Sequence, residues 1–352
     1  MKQFEIALYP GDGIGPEVLD QAVRVMYRVG EQNGITFRTK TLDWGYEYWK
    51  EYGTVVPEGF LDEIRGVDSI LLGAVGWPAA IADHVTLAPL VQIRQAFDQY
   101  ACVRPANLFP GLQSVLAGRS PEEIDFIVIR ENSEGEYIDN GGRFKQGTSD
   151  EVAVQTAIHT RKGVERILRF GFETARRRRG KLTMATKSNA QKYSYVMWDD
   201  ILEELQPEYP DVEAERMHCD AAVMNLVRCP DQFDVIVASN LFGDLLTDLG
   251  GVLGGGLGLA PSSNENPSRE FPSMFEPVHG SAPDIAGKGI ANPIAAILSL
   301  AMMLDHLECS AAAQDVRTAV ETALLQGAKT PDLGGQLSTV EMGDAVMSCL
   351  AG

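Results

Sequence analysis

Two aspartates four residues apart, Asp244 and Asp248, are the first candidates for chemistry in this chain of 352 residues. They follow an apolar run at residues 234–238 that predicts a buried strand, and they lie among leucines at helical spacing. Residues four apart project from one helix face, where two like charges repel by about 0.2–0.5 kcal/mol. A bound cation would offset that repulsion, and carboxylate oxygens suit Mg²⁺ or Mn²⁺ better than zinc. Taken alone, such a pair is more often a solvated helix face.

The remaining candidates stand near the ends of predicted elements. Guanidinium groups can clamp a carboxylate with paired hydrogen bonds, although a single arginine more often forms a surface ion pair. A lysine at the end of a strand is either solvated or a buried base. A tyrosine can donate a proton or simply pack, and an aspartate that starts a helix can cap it. The residues in question are Arg94, Arg104, Arg130, Tyr137, Lys187 and Asp220.

Two further segments raise the question of a nucleotide cofactor. Gly11, Gly13 and Gly15 follow a predicted strand, but the dinucleotide fingerprint G-x-G-x-x-G would place its third glycine one position later. This segment is therefore interpreted as a tight turn and not as a Rossmann site. The polar segment 275–293 contains Asp284, a carboxylate that could bind a ribose diol and repel a 2′-phosphate. It is either a site that selects NAD over NADP or only a structured loop.

Alternating strands and helices must position these residues, and this alternation predicts an α/β fold with a largely parallel sheet. Residues 151–159 are expected to pair antiparallel, and residues 250–267, rich in glycine, serine and asparagine, to form a hinge or an active-site loop. Ser239 or Asn240 is expected to cap the helix that carries the two aspartates. The sequence predicts strands at 4–9, 69–73, 125–129, 182–186 and 234–239, and helices at 16–29, 160–179, 193–205 and 292–306.

The overall composition argues against several classes of protein. The net charge of −19 argues against nucleic acid and anionic membranes as partners, and the basic run at 176–181 is interpreted as the end of a helix. No apolar run reaches the roughly 18 residues of a membrane span, and the N-terminus lacks the apolar region of a signal peptide. Five cysteines without C-x-x-C spacing indicate reduced thiols in a cytoplasmic protein.

Four motifs spread over the chain are long and specific: GDGIGPE at 11–17, SNLFGDLLTD at 239–248, EPVHGSAPDIAGKGIANP at 276–293 and TPDLGG at 330–335. With these motifs the sequence resembles the β-decarboxylating dehydrogenases of the isocitrate/isopropylmalate dehydrogenase family over essentially its whole length. The resemblance implies a non-Rossmann α/β fold with a mixed, largely parallel sheet and two domains that flank an active-site cleft. Residues 1–101 and 256–352 would form the cofactor-binding domain, and residues 102–255 the domain with the dimerisation and metal-binding elements. The resemblance also implies a homodimer with shared active sites.

Motif positions carry the family's site residues over to this chain. The catalytic pair would be Tyr137 and Lys187. The substrate would be held by Arg94, Arg104, Arg130 and Leu90, and the metal, Mg²⁺ or Mn²⁺, by Asp220, Asp244 and Asp248. In the family, the equivalents of Lys187 and Asp220 reach into the neighbouring copy's site. NAD would lie against Ala74, Val75, His279, Gly280, Ser281, Ala282, Asp284, Ile285 and Asn292.

The cofactor is further specified by two of these positions. NADP-dependent isocitrate enzymes of the family carry lysine and tyrosine where this chain has Asp284 and Ile285, so the resemblance implies NAD. K⁺ is a further candidate cofactor.

The substrate is the least defined part of the resemblance. The segments 73–78, 83–84 and 97–100 resemble the tartrate/D-malate dehydrogenases, whereas the apolar segment 85–93 departs from every subgroup. This segment normally contacts the group on C3 of the substrate, and its apolar side chains argue against the third carboxylate of isocitrate, because an unpaired buried carboxylate is costly. The implied reaction is the oxidative decarboxylation of a (2R)-2-hydroxydiacid, with D-malate and tartrate first and 3-isopropylmalate or an alkylmalate as the alternative. A metal-dependent acyl or phosphoryl transferase on a related fold is the remote alternative.

Overall fold

The computed structural model describes residues 2–350, which form twelve strands and eleven helices. The strands are β1 (Lys2–Gly11), β2 (Ile35–Thr41), β3 (Ser69–Ala74), β4 (Ala101–Asn107), β5 (Asp125–Glu131), β6 (Gly141–Phe144), β7 (Val152–Gln155), β8 (Lys181–Thr186), β9 (Glu213–His218), β10 (Val235–Ala238), β11 (Pro261–Glu265) and β12 (Ser273–Pro277). The helices are α1 (Gly15–Asn33), α2 (Tyr46–Tyr52), α3 (Phe60–Ile64), α4 (Asp83–Ala96), α5 (Arg161–Arg176), α6 (Ser194–Leu205), α7 (Cys219–Arg228), α8 (Asn240–Leu253), α9 (Ile294–His306), α10 (Ser310–Leu325) and α11 (Thr339–Leu350).

Ten of these strands form one mixed sheet in the order β2-β1-β3-β12-β11-β4-β5-β10-β8-β9. The first four strands in that order are parallel to one another, and so are the last four. The direction reverses in the middle, because β11 and β4 are each antiparallel to both of their neighbours. The two parallel groups therefore run in opposite directions. The predicted α/β fold with a mixed, largely parallel sheet is confirmed.

The apolar core is divided along the chain. One cluster joins α1 and β1 to the C-terminal helices α9, α10 and α11, and another joins α5 and α6 to β8 and β10. Helix α9 is apolar on nearly all sides because it packs on β11 and β12 and is covered by α1 and α10. The proposed division of the chain near residues 101 and 256 is compatible with these clusters and stays a prediction.

Residues 250–267 do not form the predicted hinge or loop. Helix α8 continues to Leu253, and β11 occupies the middle of the sheet with Ser262, Ser263 and Asn264 fully buried. Their polar side chains bond inside the core: the hydroxyl of Ser262 accepts from Arg104. Serine and asparagine here belong to a buried polar network, and this explains why composition alone indicated a loop.

The segment at 151–159 and the basic run at 176–181 lie closer to what the sequence predicts. The segment at 151–159 contains β7, which pairs antiparallel with β6 to form a two-stranded, exposed arm. Helix α5 ends at Arg176, three residues earlier than predicted, and Arg178 and Arg179 form ion pairs with Asp125 and Asp234. Arginines of the basic run thus form ion pairs within the chain. Among residues 2–350 the structure contains no helix with the length and apolarity needed to cross a bilayer.

Candidate active site

Several of the predicted site residues follow the carboxyl ends of strands, where the loops of parallel sheets gather ligand-binding groups. In one parallel group, Tyr137 follows β5, Lys187 follows β8, and α8, which carries Asp244, follows β10. In the other group, the glycine turn follows β1 and the segment beginning at His279 follows β12. Each parallel group therefore contributes one set of loops.

Asp244 lies where several of the predicted residues meet. Its Oδ1 accepts a hydrogen bond from Nη1 of Arg130 and another, of 3.3 Å, from Nη1 of Arg104. Its Oδ2 accepts one of 2.8 Å from the hydroxyl of Tyr137. Burial disfavours the charged carboxylate, but Arg130 and Arg104 outweigh that effect and hold the pKa of Asp244 below its usual range. Asp244 is accordingly ionised at neutral pH.

Tyr137 is held in its protonated form by the same contacts. Partial burial raises the pKa of Tyr137, and the hydrogen bond to the Asp244 carboxylate raises it further. The guanidinium of Arg130 lies 5.0 Å from the centre of the Tyr137 ring. A phenol that keeps its proton and is oriented by two charged neighbours can serve as a proton donor.

The two aspartates of α8 share a face, as the spacing predicts. The side chain of Asp248 is 59% exposed, and its Oδ1 lies 4.0 Å from Nη1 of Arg104. Partial burial and the nearby charge of Asp244 raise the pKa of Asp248. Two carboxylates, one of them open to solvent, provide the hard oxygen donors that Mg²⁺ or Mn²⁺ prefers, so this donor set fits the metal implied by the resemblance.

Asp220 does not join that pair within one chain. It lies in the first turn of α7, where its Oδ1 accepts a hydrogen bond of 2.7 Å from Nζ of Lys187. Among the residues from 2 to 350, no three His, Cys, Asp or Glu side chains come together as a possible metal site. The three predicted metal ligands thus fall into two separate groups, Asp220 with Lys187 and Asp244 with Asp248.

The arginines are fixed by residues that the sequence analysis did not assign to the site. Arg104 donates to the hydroxyls of Ser262 and Thr247, at 3.2 and 2.8 Å, and Arg130 donates from Nε and Nη2 to Oδ1 of Asn240. Arg104 and Arg130 are buried in the middle of the sheet, on neighbouring strands β4 and β5. Such contacts hold the guanidinium groups in place before any ligand arrives.

Arg94 belongs to a second polar group. Its Nη2 donates at 3.0 Å to Oε1 of Glu276, which also accepts at 2.7 Å from Asn264. The buried Nε of Arg94 has no partner among the described residues. Glu276 and Asn264 were missed in the sequence because neither carries a local signal; only the pairing of β11 with β12 brings them together.

Leu90, a predicted substrate contact, lies in the core of the protein. The segment around it is helix α4, and Leu90 is only 4% exposed, packed with Ile93 and Phe97 in a hydrophobic cluster. Its predicted contact with the substrate stays a prediction, because Arg130, another predicted substrate contact, is equally buried. Leu87, on the same helix, is 48% exposed.

The predicted cofactor segments come together at the glycine turn. The backbone carbonyl of Ser281 accepts a hydrogen bond of 2.8 Å from the N–H of Ile14, and the carbonyl of Ala74 accepts one of 2.7 Å from the N–H of Asp12. A Cβ atom on Gly13, whose φ is +61°, would lie 1.9 Å from the carbonyl oxygen of Ser281. The glycines of this turn are thus explained by the close approach of three backbone segments.

The other predicted cofactor contacts lie along residues 279–292. Nδ1 of His279 lies 2.9 Å from the carbonyl of Gly280, while its buried Nε2 has no partner among the described residues. Asp284 is exposed, and Asn292 donates from Nδ2 to Asp332 at 3.1 Å. Ala282 and Ile285 in this segment are partly exposed, and so is Val75, which directly follows β3.

Comparison with known proteins identifies the family of this chain. Residues 5–346 match the family model described as isocitrate/isopropylmalate dehydrogenase. The D-malate dehydrogenase (decarboxylating) of Escherichia coli (strain K12) is 46% identical over 354 residues, with 98% of each chain covered. The tartrate dehydrogenase/decarboxylase of Pseudomonas putida is 44% identical over 357 residues, covering 99% of this chain and 98% of that one.

Comparison with solved structures shows that the fold is shared with this family. The crystal structure of isocitrate dehydrogenase from Methylococcus capsulatus superposes with a TM-score of 0.89 at 37% sequence identity, and covers 99% of this chain and 100% of that chain. The sequence match and the shared fold both extend over nearly the whole chain. The protein therefore belongs to the isocitrate/isopropylmalate dehydrogenase family and is an oxidoreductase.

Proposed function

We propose that this enzyme catalyses the NAD- and metal-dependent oxidative decarboxylation of a (2R)-2-hydroxydiacid, with D-malate as the main substrate and tartrate as a second. The observation that carries this proposal is the meeting of Arg104, Arg130, Tyr137 and Asp244 over the middle strands of the sheet. The names of the two similar relatives, a D-malate and a tartrate dehydrogenase, support the choice of a small diacid.

Three arginines provide the binding energy for a dianion. Arg104 and Arg130 are oriented by hydroxyl and amide groups, and the unpartnered Nε of Arg94 leaves a donor free. A carboxylate held by oriented guanidinium groups is bound with little loss of side-chain freedom. In the proposal, these arginines fix the substrate carboxylates and so orient C2 and C3.

The metal would be held by Asp244 and Asp248 of one copy and Asp220 of a second copy. When bound, Mg²⁺ or Mn²⁺ would act as a Lewis acid that lowers the pKa of the substrate hydroxyl and stabilises negative charge after CO₂ leaves. In this arrangement Asp220 exchanges its contact with Lys187 for a place in the metal site, which leaves the lysine free for the substrate.

Two residues of the chain would move protons. Lys187 takes the proton of the C2 hydroxyl, directly or through water, as hydride leaves C2 for NAD⁺. The resulting β-keto acid loses CO₂, and Tyr137 then donates its proton to C3. For D-malate the balance is malate and NAD⁺ to pyruvate, CO₂ and NADH.

NAD would lie against the segments joined at the glycine turn, 74–75 and 279–292. The exposed carboxylate of Asp284 suits the ribose hydroxyls and would repel a 2′-phosphate, so NAD is proposed over NADP. K⁺ is included as a candidate activator.

A homodimer would complete the site. The separation of Asp220 and Lys187 from the other site residues means that one chain alone does not assemble the proposed metal site. Large apolar side chains are exposed on the helices next to these groups, as expected for an interface with a second copy. They are Val223, Met224 and Val227 on α7, and Leu245 and Val252 on α8.

A 3-isopropylmalate or alkylmalate dehydrogenase is the second candidate. The exposed Leu87, seven residues before Arg94 and so on the same side of α4, favours an apolar group on C3. No observation favours the transferase alternative.

The proposal is tested by NADH formation at 340 nm with D-malate, L-tartrate, 3-isopropylmalate and isocitrate, in the presence of NAD⁺, Mn²⁺ and K⁺. The expected result is turnover that is best on D-malate or tartrate and abolished by EDTA. Better turnover on 3-isopropylmalate would favour the second candidate. Turnover that survives EDTA, or none on any of the four hydroxyacids, would contradict the proposal.

A further inference from the structure

The loop that carries Tyr137 is fastened to helix α8 by the carboxylate of Glu136. Oε2 of Glu136 accepts a hydrogen bond of 3.1 Å from the backbone N–H of Leu241, and Oε1 accepts one of 3.3 Å from the hydroxyl of Tyr195. Leu241 is the second residue of α8, so its N–H has no acceptor within the helix. Glu136 supplies that acceptor from a different part of the chain.

The N-cap residue of α8 does not fill this role. Ser239 occupies the N-cap position without a capping hydrogen bond from its side chain, in contrast to the capping expected from the sequence. Its hydroxyl instead pairs at 2.6 Å with the hydroxyl of Tyr195, and both residues are fully buried. Burial also raises the pKa of Tyr195, which keeps the phenol protonated. The carboxylate of Glu136 takes over the capping role expected of the serine, and its negative charge is further stabilised by the positive end of the helix dipole.

A second contact joins the same loop and helix. Asn240, the first residue of α8, donates from Nδ2 to the backbone carbonyl of Glu134 at 2.9 Å. Tyr137 directly follows Glu136, and Asp244 lies one turn further along α8, where it accepts the hydrogen bond of 2.8 Å from Tyr137. Two contacts between the loop and the helix therefore directly precede the contact between the tyrosine and the aspartate along both segments.

We propose that Glu136 is a positioning residue, which holds Tyr137 in register with Asp244 and acts on the reaction only through them. This inference rests on the proposed function, in which Tyr137 donates the proton to C3. A glutamate fits this position because both of its oxygens accept hydrogen bonds at once and its charge lies at the start of α8. A glutamine loses that charge and keeps a single acceptor oxygen, so its NH₂ group meets either the Leu241 N–H or a Tyr195 hydroxyl that must turn to donate to Ser239.

The variant Glu136→Gln tests this role through two rates. One is the overall oxidative decarboxylation of D-malate, and the other is the NADH-dependent reduction of oxaloacetate, which needs no proton at C3. The overall kcat is expected to fall about tenfold or more, with the KM for D-malate and the rate of oxaloacetate reduction within about twofold of wild type. In a Tyr137→Phe background, Glu136→Gln should cause no further loss, because no donor is left to position.

Glu134→Gln is the matched control. The carboxylate of Glu134 accepts from the backbone N–H and the hydroxyl of Thr160, at 2.8 and 2.5 Å, and so fastens the same loop to the start of α5. This variant is expected to keep the ratio of the two rates. If Glu136→Gln does not fold, Glu136→Asp replaces it, and a smaller shift of the ratio in the same direction is expected.

The outcomes separate the two proposals. Full overall turnover in Tyr137→Phe would refute the proposed role of the tyrosine and the positioning role that depends on it, whereas the proposed reaction itself fails only if the wild-type enzyme does not turn over D-malate or tartrate. If Tyr137→Phe has reduced overall turnover, three results with Glu136→Gln would refute the positioning role alone. The first is both rates at the wild-type level, and the second is an equal loss of overall turnover and of oxaloacetate reduction. The third is a further loss of overall turnover when Glu136→Gln is combined with Tyr137→Phe.

Discussion

Nζ of Lys187 donates a hydrogen bond of 2.7 Å to Oδ1 of Asp220, and in the described part of one chain this pair does not join Asp244 and Asp248. Lys187 and Asp220, the proposed base and metal ligand, are separated from the other site residues of the same chain. They can act only if another surface supplies the remaining site residues. The natural source is a second copy of the chain, because a two-fold dimer presents the same surfaces reciprocally.

The shared site predicts complementation between two inactive variants. Tyr137→Phe and Lys187→Ala are each expected to lose overall turnover as homodimers. After denaturation and refolding of an equal mixture, half of the dimers are mixed, and each mixed dimer has one site with both native residues. Activity should then recover to about one quarter of wild type. A mixture that stays as inactive as its parents would show that both residues serve the same chain's site.

The same two residues should separate the chemical steps. Tyr137→Phe removes the proposed donor to C3, so overall turnover should fall by about 10²–10⁴-fold while reduction of added oxaloacetate continues. Lys187→Ala should lose both reactions, because the C2 hydroxyl proton is transferred in each. Both rates are followed by NADH absorbance. Equal loss of every partial reaction in the two variants would contradict the assigned roles.

Gly13→Ala tests the contact at the glycine turn. The added Cβ would lie 1.9 Å from the carbonyl oxygen of Ser281 at a φ of +61°, so a loss of about 2–4 kcal/mol in the free energy of unfolding is expected, with weaker NADH binding. Gly34→Ala is the control, since Gly34 has a similar φ of +66° and open space around it. Urea denaturation and NADH fluorescence titration give the two quantities. Equal effects in both variants would mean that the approach of Ser281 is unimportant.

Asp284 is expected to discriminate between the two nicotinamide cofactors. Its exposed carboxylate would face the 2′-phosphate of NADP, so Asp284→Asn should reduce the preference for NAD by about five- to tenfold, more at low ionic strength. The measurement is the ratio of kcat/KM for NAD and NADP at two salt concentrations. An unchanged ratio would exclude the residue from cofactor selection.

His159 should make stability depend on pH. Burial lowers the pKa of its imidazole, whose Nδ1 accepts a hydrogen bond of 3.2 Å from the indole N–H of Trp198. Below the ordinary histidine pKa of about 6.5 the unfolded chain binds a proton that the folded protein resists, so stability falls as pH falls. His159→Gln removes this term. The difference in Tm between wild type and variant should therefore narrow from pH 8 to pH 5.5; a constant difference would be the contrary result.

Some elements of the fold could be predicted from local pattern. The strands β5, β8 and β10 are short apolar runs bounded by polar residues, and the sequence indicates each of them to within two residues. Strand β11 could not be predicted this way, because Ser262, Ser263 and Asn264 are polar. Ser262 and Asn264 bond to Arg104 and Asn132, which are more than a hundred residues away in the chain.

The candidate site shows the same division. Asp244 and Asp248 share a helix face, as spacing predicts, because four residues make about one turn. The burial of Leu90 could not be predicted from its motif position, because the direction of its side chain depends on the rotation of α4, which packing in the core determines. The separation of Asp220 from the other aspartates likewise depends on how strands order themselves in the sheet, and single-sequence spacing carries no information about that order.

The position of β12 has a consequence for how the chain folds as it is made. Strand β3 pairs with a strand about 200 residues later, Ser69 opposite Ser273, whereas β8 and β10 pair across a much shorter stretch. During synthesis, the edge of β3 that pairs with β12 therefore stays unpaired until most of the chain has left the ribosome. We expect the middle of the chain to gain hydrogen-exchange protection first in a pulse-labelling experiment, and β3 to gain it last.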